Sequence, residues 1–306
     1  MNELNNRRQY ASGIYVIALI FGLVLGCQMR AISGQEKVDL GILLMKACWD
    51  SNAALADLLI KDGADPNTTD ENGVTALMLA ASNPRGDNGH LVDILAQRGA
   101  DVNAKDKEGR TAFKLAFDKG YLSAAWTLLH KGADPNTINN KGQTPVMVYA
   151  EKWNPNAGHL EPFLQRGVPI NAKDKEGRTA LMIAAQSVRN DVPGAEAVAH
   201  LVAKGADINF QDNRGRTALM YAAEQGRFEI VKILLNKNAA IDARDKEGKT
   251  ALMIAVQRGH FNVADLLVKA GADIAAKDNT GKTPLAYFDE RCQIFRQDLV
   301  PKPAIR

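Results

Sequence analysis

Cysteine is scarce in this chain, with 3 in 306 residues, and no two of them form a Cys-x-x-Cys pair. That excludes a disulfide scaffold and the common structural zinc sites. The 5 histidines (His90, His130, His159, His200 and His260) are scattered without metal-ligand spacing. No serine lies in Gly-x-Ser-x-Gly, and neither a phosphate loop nor a glycine-rich dinucleotide turn is present. No catalytic residue, metal or cofactor is therefore expected, and the chain does not read as an enzyme. Aromatic residues make up 6% and the formal charge is +3, too little of either to argue for a nucleic-acid groove. No apolar run reaches the ~20 residues of a comfortable membrane span.

The first 34 residues stand apart. Arg7 and Arg8 precede an apolar stretch from Ile14 to Leu25, sized for the core of a signal peptide. It ends in Leu23-Val-Leu-Gly-Cys27, which resembles a bacterial lipobox. The resemblance implies a signal peptide over 1–26, cleavage before Cys27 and acylation of that residue, palmitate among the chains. Several chains on one residue would anchor the protein stably, since one alone binds only marginally. Ala31-Ile-Ser33 offers a conventional signal peptidase an alternative site that would release a soluble protein, and an uncleaved anchor is a third reading. Arg7-Arg8 lacks the flanking residues of a twin-arginine signal. Gln28 stands where an aspartate would resemble an inner-membrane retention signal, so the periplasmic face of an outer membrane is the expected location. Residues 27–38 then read as a tether.

What the chain has in abundance is one phrase. Gly-x-Thr-Ala-Leu-Met-x-Ala occurs at Gly73, Gly177, Gly215 and Gly248, with looser copies at Gly109, Gly142 and Gly281. Its threonines fall at 75, 111, 144, 179, 217, 250 and 283, and a period near 33 marks a stacked-repeat array. One unit reads as a turn at Asp212–Gly215, an N-cap at Thr217, a short alanine-rich helix, a break at Gln225–Arg227 and a second helix over Phe228–Leu235. In sister units Gly-Ala-Asp follows, placing glycine where a left-handed C-cap is wanted. The stretch 103–112 recurs without change at 171–180.

These units resemble the ankyrin repeat over about residues 39–288. The resemblance implies an all-α repeat solenoid of helix-turn-helix units with short β-hairpin-like loops, seven to eight in number, closed by a C-terminal cap and tail over 289–306. The family proline appears only at Pro145 and Pro284, and the family histidine is mostly methionine (Met78, Met147, Met182, Met220, Met253). Thioether packing is expected to replace the buried threonine–histidine hydrogen bond. His260 falls in the family's Gly-His turn, a structural slot. Cys48 and Cys292 sit in the first and last units, on the order of 60 Å apart at 8–10 Å per stacked helix, too far to pair.

Three units carry extra residues between their helices, at 82–89, 151–158 and 186–194. Such insertions line a binding face or drift in length at little cost. The unit beginning at Gly142 is the most aberrant. Pro162 falls in its second helix, costing about 3 kcal/mol unless it lies in the first turn. Pro169 replaces an aspartate, Tyr149 a small alanine, and Trp153 sits in the insertion.

In the family, the residue before each threonine and the one before the turn aspartate face a concave groove. The first row reads Val74, Arg110, Gln143, Arg178, Arg216, Lys249 and Lys282; the second reads Thr69, Lys105, Ile138, Lys173, Gln211, Arg244 and Lys277. Nine of these fourteen positions are basic and none acidic, a stripe suited to a protein partner with an acidic face, although aspartates lie beside it. Arg110, Arg178, Arg216, Lys249, Lys282, Trp153 and Tyr149 are the candidate protein-binding residues. The expectation is a monomeric, lipid-anchored scaffold in the bacterial cell envelope that binds protein and not nucleic acid. Two alternatives stay open: an inhibitor, immunity or accessory protein for an exported enzyme, or a secreted soluble effector that binds host proteins.

Overall fold

A computed structural model describes residues 39–151, 160–186 and 191–290. Cys27, Trp153 and Cys292 lie outside the described residues, as do the signal peptide, the tether, residues 152–158 of the second insertion and 187–190 of the third. Helices come in pairs: α1 (Leu40–Trp49) with α2 (Ala53–Lys61), α3 (Ala76–Ala81) with α4 (Gly89–Gln97), and α5 (Ala112–Lys119) with α6 (Leu122–His130). Then follow α7 (Pro145–Glu151) with α8 (Glu161–Gln165), α9 (Ala180–Gln186) with α10 (Asp191–Ala203), α11 (Ala218–Glu224) with α12 (Phe228–Asn236), and α13 (Ala251–Arg258) with α14 (Phe261–Lys269). A further helix occupies 284–290. No described helix is long and apolar enough to cross a membrane.

The recurring phrase explains each inner helix. Its threonine is the N-cap: the Thr75 and Thr111 hydroxyls accept the amides of Met78 and Lys114 at 3.1 and 3.2 Å, satisfying one of the donors a helix start leaves open. Its alanines and leucine are buried, as at Ala218, Leu219, Ala222 and Ala223, which lets neighbouring units approach closely. The methionines do more than fill space at two units, where the Thr144 and Thr179 amides donate to the sulfurs of Met147 and Met182 at 3.4 and 3.5 Å. Outer helices bury one stripe, as α12 does with Ile230, Val231 and Leu234, while Glu229 and Lys232 face outward. At the loop where sister units carry glycine, Asn238 takes φ +61°, a conformation asparagine tolerates better than most side chains. Pro162 falls in the first turn of α8, where its missing amide costs nothing.

Two ladders tie the units together. On one edge, Asn67, Asn103 and Asn136 donate side-chain amides to the carbonyls of Gly99, Gly132 and Arg166, each about one unit ahead. On the other, the turns before the inner helices act as stacked fingers, spanning 69–74, 105–110, 138–143, 173–178, 211–216, 244–249 and 277–282. Each closes like a hairpin, with the amide of its second residue donating to the carbonyl of its last, for example Asp106 to Arg110 at 3.1 Å and Asn139 to Gln143 at 2.9 Å. Only the first forms a formal bridge, between Thr69 and Thr75. Backbone bonds from Lys107 to Asn72, Asn213 to Glu176, Lys246 to Arg214 and Asn279 to Glu247, at 2.8–3.0 Å, join finger to finger. The corresponding amides of Asn140 and Lys175 make no such bond, so the ladder is interrupted on both sides of the third finger.

The first insertion is a staple. Asn83 is buried and donates to the carbonyls of Cys48 and Trp49 at 2.9 Å, while Arg85 reaches the Trp49 carbonyl and Asp50. On the opposite side, the Asp87 carboxylate accepts the amides of Ser123 and Ala124 at 2.7 and 2.8 Å, capping α6 of the next unit. Cys48 is fully buried, and burial pushes its thiol up to about 12.

The concave face as candidate binding site

Each finger is organised by the acid at its second position. One oxygen of Asp106, Asp174, Asp212, Asp245 and Asp278 accepts the amides two and four residues on, all at 2.8–3.0 Å, and these side chains are buried. Asn139 does the same in the third finger with its carbonyl oxygen. The second oxygen decides what the basic row does. In two fingers it holds the guanidinium: Arg110 Nε lies 2.7 Å from Asp106 and Arg178 Nε 2.9 Å from Asp174. Burial alone would raise the Asp106 carboxyl, but the backbone amide and guanidinium of Arg110 hold it below the usual carboxylate range.

Where a tyrosine stands four residues after the threonine, the arrangement changes. The Tyr221 and Tyr287 hydroxyls donate to Asp212 and Asp278 at 2.6 and 2.5 Å, displacing the basic residue. Burial and then this carboxylate contact push the Tyr221 hydroxyl far above its ordinary value. The displaced cation turns to a carboxylate eight residues on: Arg216 pairs with Glu224 at 2.9 Å and Lys282 with Glu290 at 2.7 Å. Arg258 from the next unit also lies 2.5 Å from Glu224. The same eight-residue step brings Gln143 to Glu151 at 3.3 Å, Arg178 to Gln186 at 3.4 Å and Lys249 to Gln257 at 3.4 Å.

A row of acids and amides at the ends of the inner helices thus faces the basic row. The first basic row is largely neutralised from within, for Arg110 and Lys249 also pair with Glu108 and Glu247, both at 2.8 Å. The partner row escapes notice in the sequence because the shared face of fingers and helix ends is not a helical or strand period. The constant step of eight, acid or amide at Glu151, Gln186, Glu224, Gln257 and Glu290, is the signal that would have found it.

The structure brings Arg110, Arg178, Arg216, Lys249 and Lys282 into one row. Tyr149 is placed elsewhere, half-buried with its ring centre 6.4 Å from that of Phe163, which in turn packs on Trp126 at 5.2 Å. Burial pushes the Tyr149 hydroxyl up to about 12. In the second row, Lys173 lies 4.7 Å from the Phe210 ring centre and Arg244 donates to the Lys277 carbonyl at 2.8 Å, while the Ile138 side chain is exposed.

Beside the third finger the concave face opens into a hollow of about 430 Å3, lined by Lys141, Gln143, Glu151, Arg178, Ile183, Gln186 and Gln225. Its floor is apolar at Ile183 and its rim carries amides, a cation at Lys141 that forms no ion pair among the described residues, and the Glu151 carboxylate, which accepts from the Gln143 amide. No described group of histidine, cysteine, aspartate and glutamate is arranged to hold a metal ion.

The comparisons with known proteins follow the same outline. The family described as ankyrin repeats (3 copies) matches residues 44–139 and 187–278, leaving out 140–186, which holds the third finger's second half, α7, α8, the fourth finger, α9 and every residue lining the hollow except Gln225. Among solved structures, the human ASB11 ankyrin repeat domain superimposes with a TM-score of 0.56 at 22% identity, over 75% of this chain and 98% of that one. No curated protein matches the chain. With the family covering well over half of its residues, the chain belongs to the ankyrin-repeat family.

Proposed function

We propose that this protein is an exported, membrane-tethered binding module that holds its repeat array at the periplasmic face of a bacterial membrane and grips a protein partner in the concave hollow. Ankyrin repeats act as protein-interaction scaffolds, which fixes the class of activity but names no partner. The tether is supported by the apolar run ending at Cys27. The site is supported by one observation: the hollow lies where the finger ladder is interrupted and where the chain departs from the family pattern. An apolar floor ringed by a few amides and charges is the form of a pocket that seats an anchor side chain from a partner.

Affinity purification of the full chain from detergent-solubilised cells that make it tests both parts. The expected result is one stoichiometric partner, lost on filling the hollow with Gln186→Trp, and an intact mass carrying acyl chains on residue 27. An unmodified Cys27 would remove the lipid anchor, and a mass matching cleavage after Ser33 would remove any tether. A partner retained by Gln186→Trp would move the site elsewhere.

A further inference from the structure

Neutralisation of the first basic row leaves other cations unsatisfied, among them one at each of five fingertips. At the tips of the second to sixth fingers stand Lys107, Lys141, Lys175, Arg214 and Lys246, all exposed. Lys107, Lys175 and Lys246 directly follow the turn aspartate, whereas Lys141 and Arg214 sit one residue further along. The other tip position of those two fingers is Asn140 or Asn213, and the Asn213 side chain donates to the Lys175 carbonyl at 3.1 Å. Asn279 does the same to Lys246 at 2.9 Å. Asn213 and Asn279 thus dock their fingers on the ones before, no such bond is made by Asn140 among the described residues, and the lysine or arginine at each tip is exposed. The acids of these fingers are already committed, Asp106 and Glu108 to Arg110, Asp174 and Glu176 to Arg178, and Glu247 to Lys249. No described residue forms an ion pair with any of the five tip cations. At the first finger the sign reverses, with Glu71 exposed at the tip, and the seventh ends in Thr280.

We infer that this ridge is a docking surface for an extended acidic polypeptide segment. The inference rests on the reading of the array as a protein-binding module, and adds a second contact along the fingertips. Units stacked about 10 Å apart present one free cation each. An extended chain advances about 3.3 Å per residue, so carboxylates at every third residue meet the tips in register over roughly 12 residues. A lone surface charge of this kind contributes little, but five in line steer a partner and add together. The acid at the first finger fixes one end of the register by repelling further carboxylates.

The test is fluorescence anisotropy of the full chain with labelled peptides of the form (Glu-Ser-Ser)5, and with peptides of equal composition whose glutamates are contiguous. The spaced peptide is expected to bind at least about fivefold tighter than the contiguous one. Lys107→Ala, Lys175→Ala and Lys246→Ala together should weaken it about tenfold, the size three exposed charge contacts give in sum. The same charge removed at Lys119 and Lys232 on the helices and at Lys237 just after α12 should leave it within twofold. Equal loss in both variants, or no preference for spacing, overturns the inference. Tighter binding to phosphatidylglycerol vesicles than to the spaced peptide also overturns it, in favour of a membrane surface. Partner capture that depends on Gln186 but is untouched by the fingertip variant would leave the proposed function standing and this inference refuted.

Discussion

Replacing Asp174 tests whether the turn acids hold the fingers. Its side chain is fully buried; one oxygen takes the amides of Glu176 and Arg178 at 3.0 and 2.8 Å, and the other takes the Arg178 guanidinium at 2.8 Å. Hydrogen bonds to a charged group contribute ~1.5–3 kcal/mol each, and water reaches the Glu176 amide once the acceptor is gone. Asp174→Ala removes all three interactions and is expected to cost about 3 kcal/mol. Asp174→Asn keeps the oxygen that serves the two amides and loses the guanidinium contact, costing about 1–1.5 kcal/mol. The protein carries its own precedent, since Asn139 organises the third finger with the same two amide bonds. Urea denaturation of the full chain, followed by circular dichroism, should place the midpoints in the order native, Asn, Ala. An asparagine variant as damaged as the alanine one, or an alanine variant within 1 kcal/mol of native, would refute the reasoning and leave the turn to its glycine and backbone.

Removing the staple by Asp87→Ala takes the cap from α6 and should cost about 1–2 kcal/mol, whereas Glu71→Ala at the exposed first fingertip should be neutral, both read by thermal melting. The Asp106 and Asp278 carboxyls lie below their unfolded value of about 3.9. Their contribution is therefore present at neutral pH and is lost as pH falls below about 4 towards their folded values. The double variant Asp106→Asn, Asp278→Asn should start less stable and show a flatter decline between pH 4 and pH 2.5. With Cys27 and Cys292 changed to serine, Cys48 is the one thiol left, and its burial and raised thiol make it inert to iodoacetamide at pH 8 until the array unfolds.

Local rules carried the repeat itself. Threonine as cap, alanine and leucine as core, and glycine at the finger ends each act within a few residues, so a single chain displays them without any partner unit. Pro162 was decided by where α8 begins, a boundary the sequence left two ways open. The candidate site was legible as a row but not as an electrostatic environment. That aspartates flank the basic row is visible in the sequence, but that Asp174 takes the Arg178 guanidinium, four residues later, follows only once the finger has folded back. Arg216 looked like its sister Arg178, and the tyrosine that redirects it to Glu224 acts through a contact nine residues away from Asp212. Asn83 and Asp87 read as insertion filler because their partners, Cys48, Trp49, Ser123 and Ala124, lie some 35 residues off in either direction. Contacts of that range belong to the stacking of units, which no single-unit pattern records.

The array is a ladder of fingers broken on both sides of the third, where the hollow opens. Native-state hydrogen exchange resolved to single amides measures this directly. The amides of Lys107, Asn213, Lys246 and Asn279, each bonded to the preceding finger, should be protected, and those of Asn140 and Lys175 should exchange fast. Equal protection at all six would contradict the interruption and, with it, the placement of the binding site.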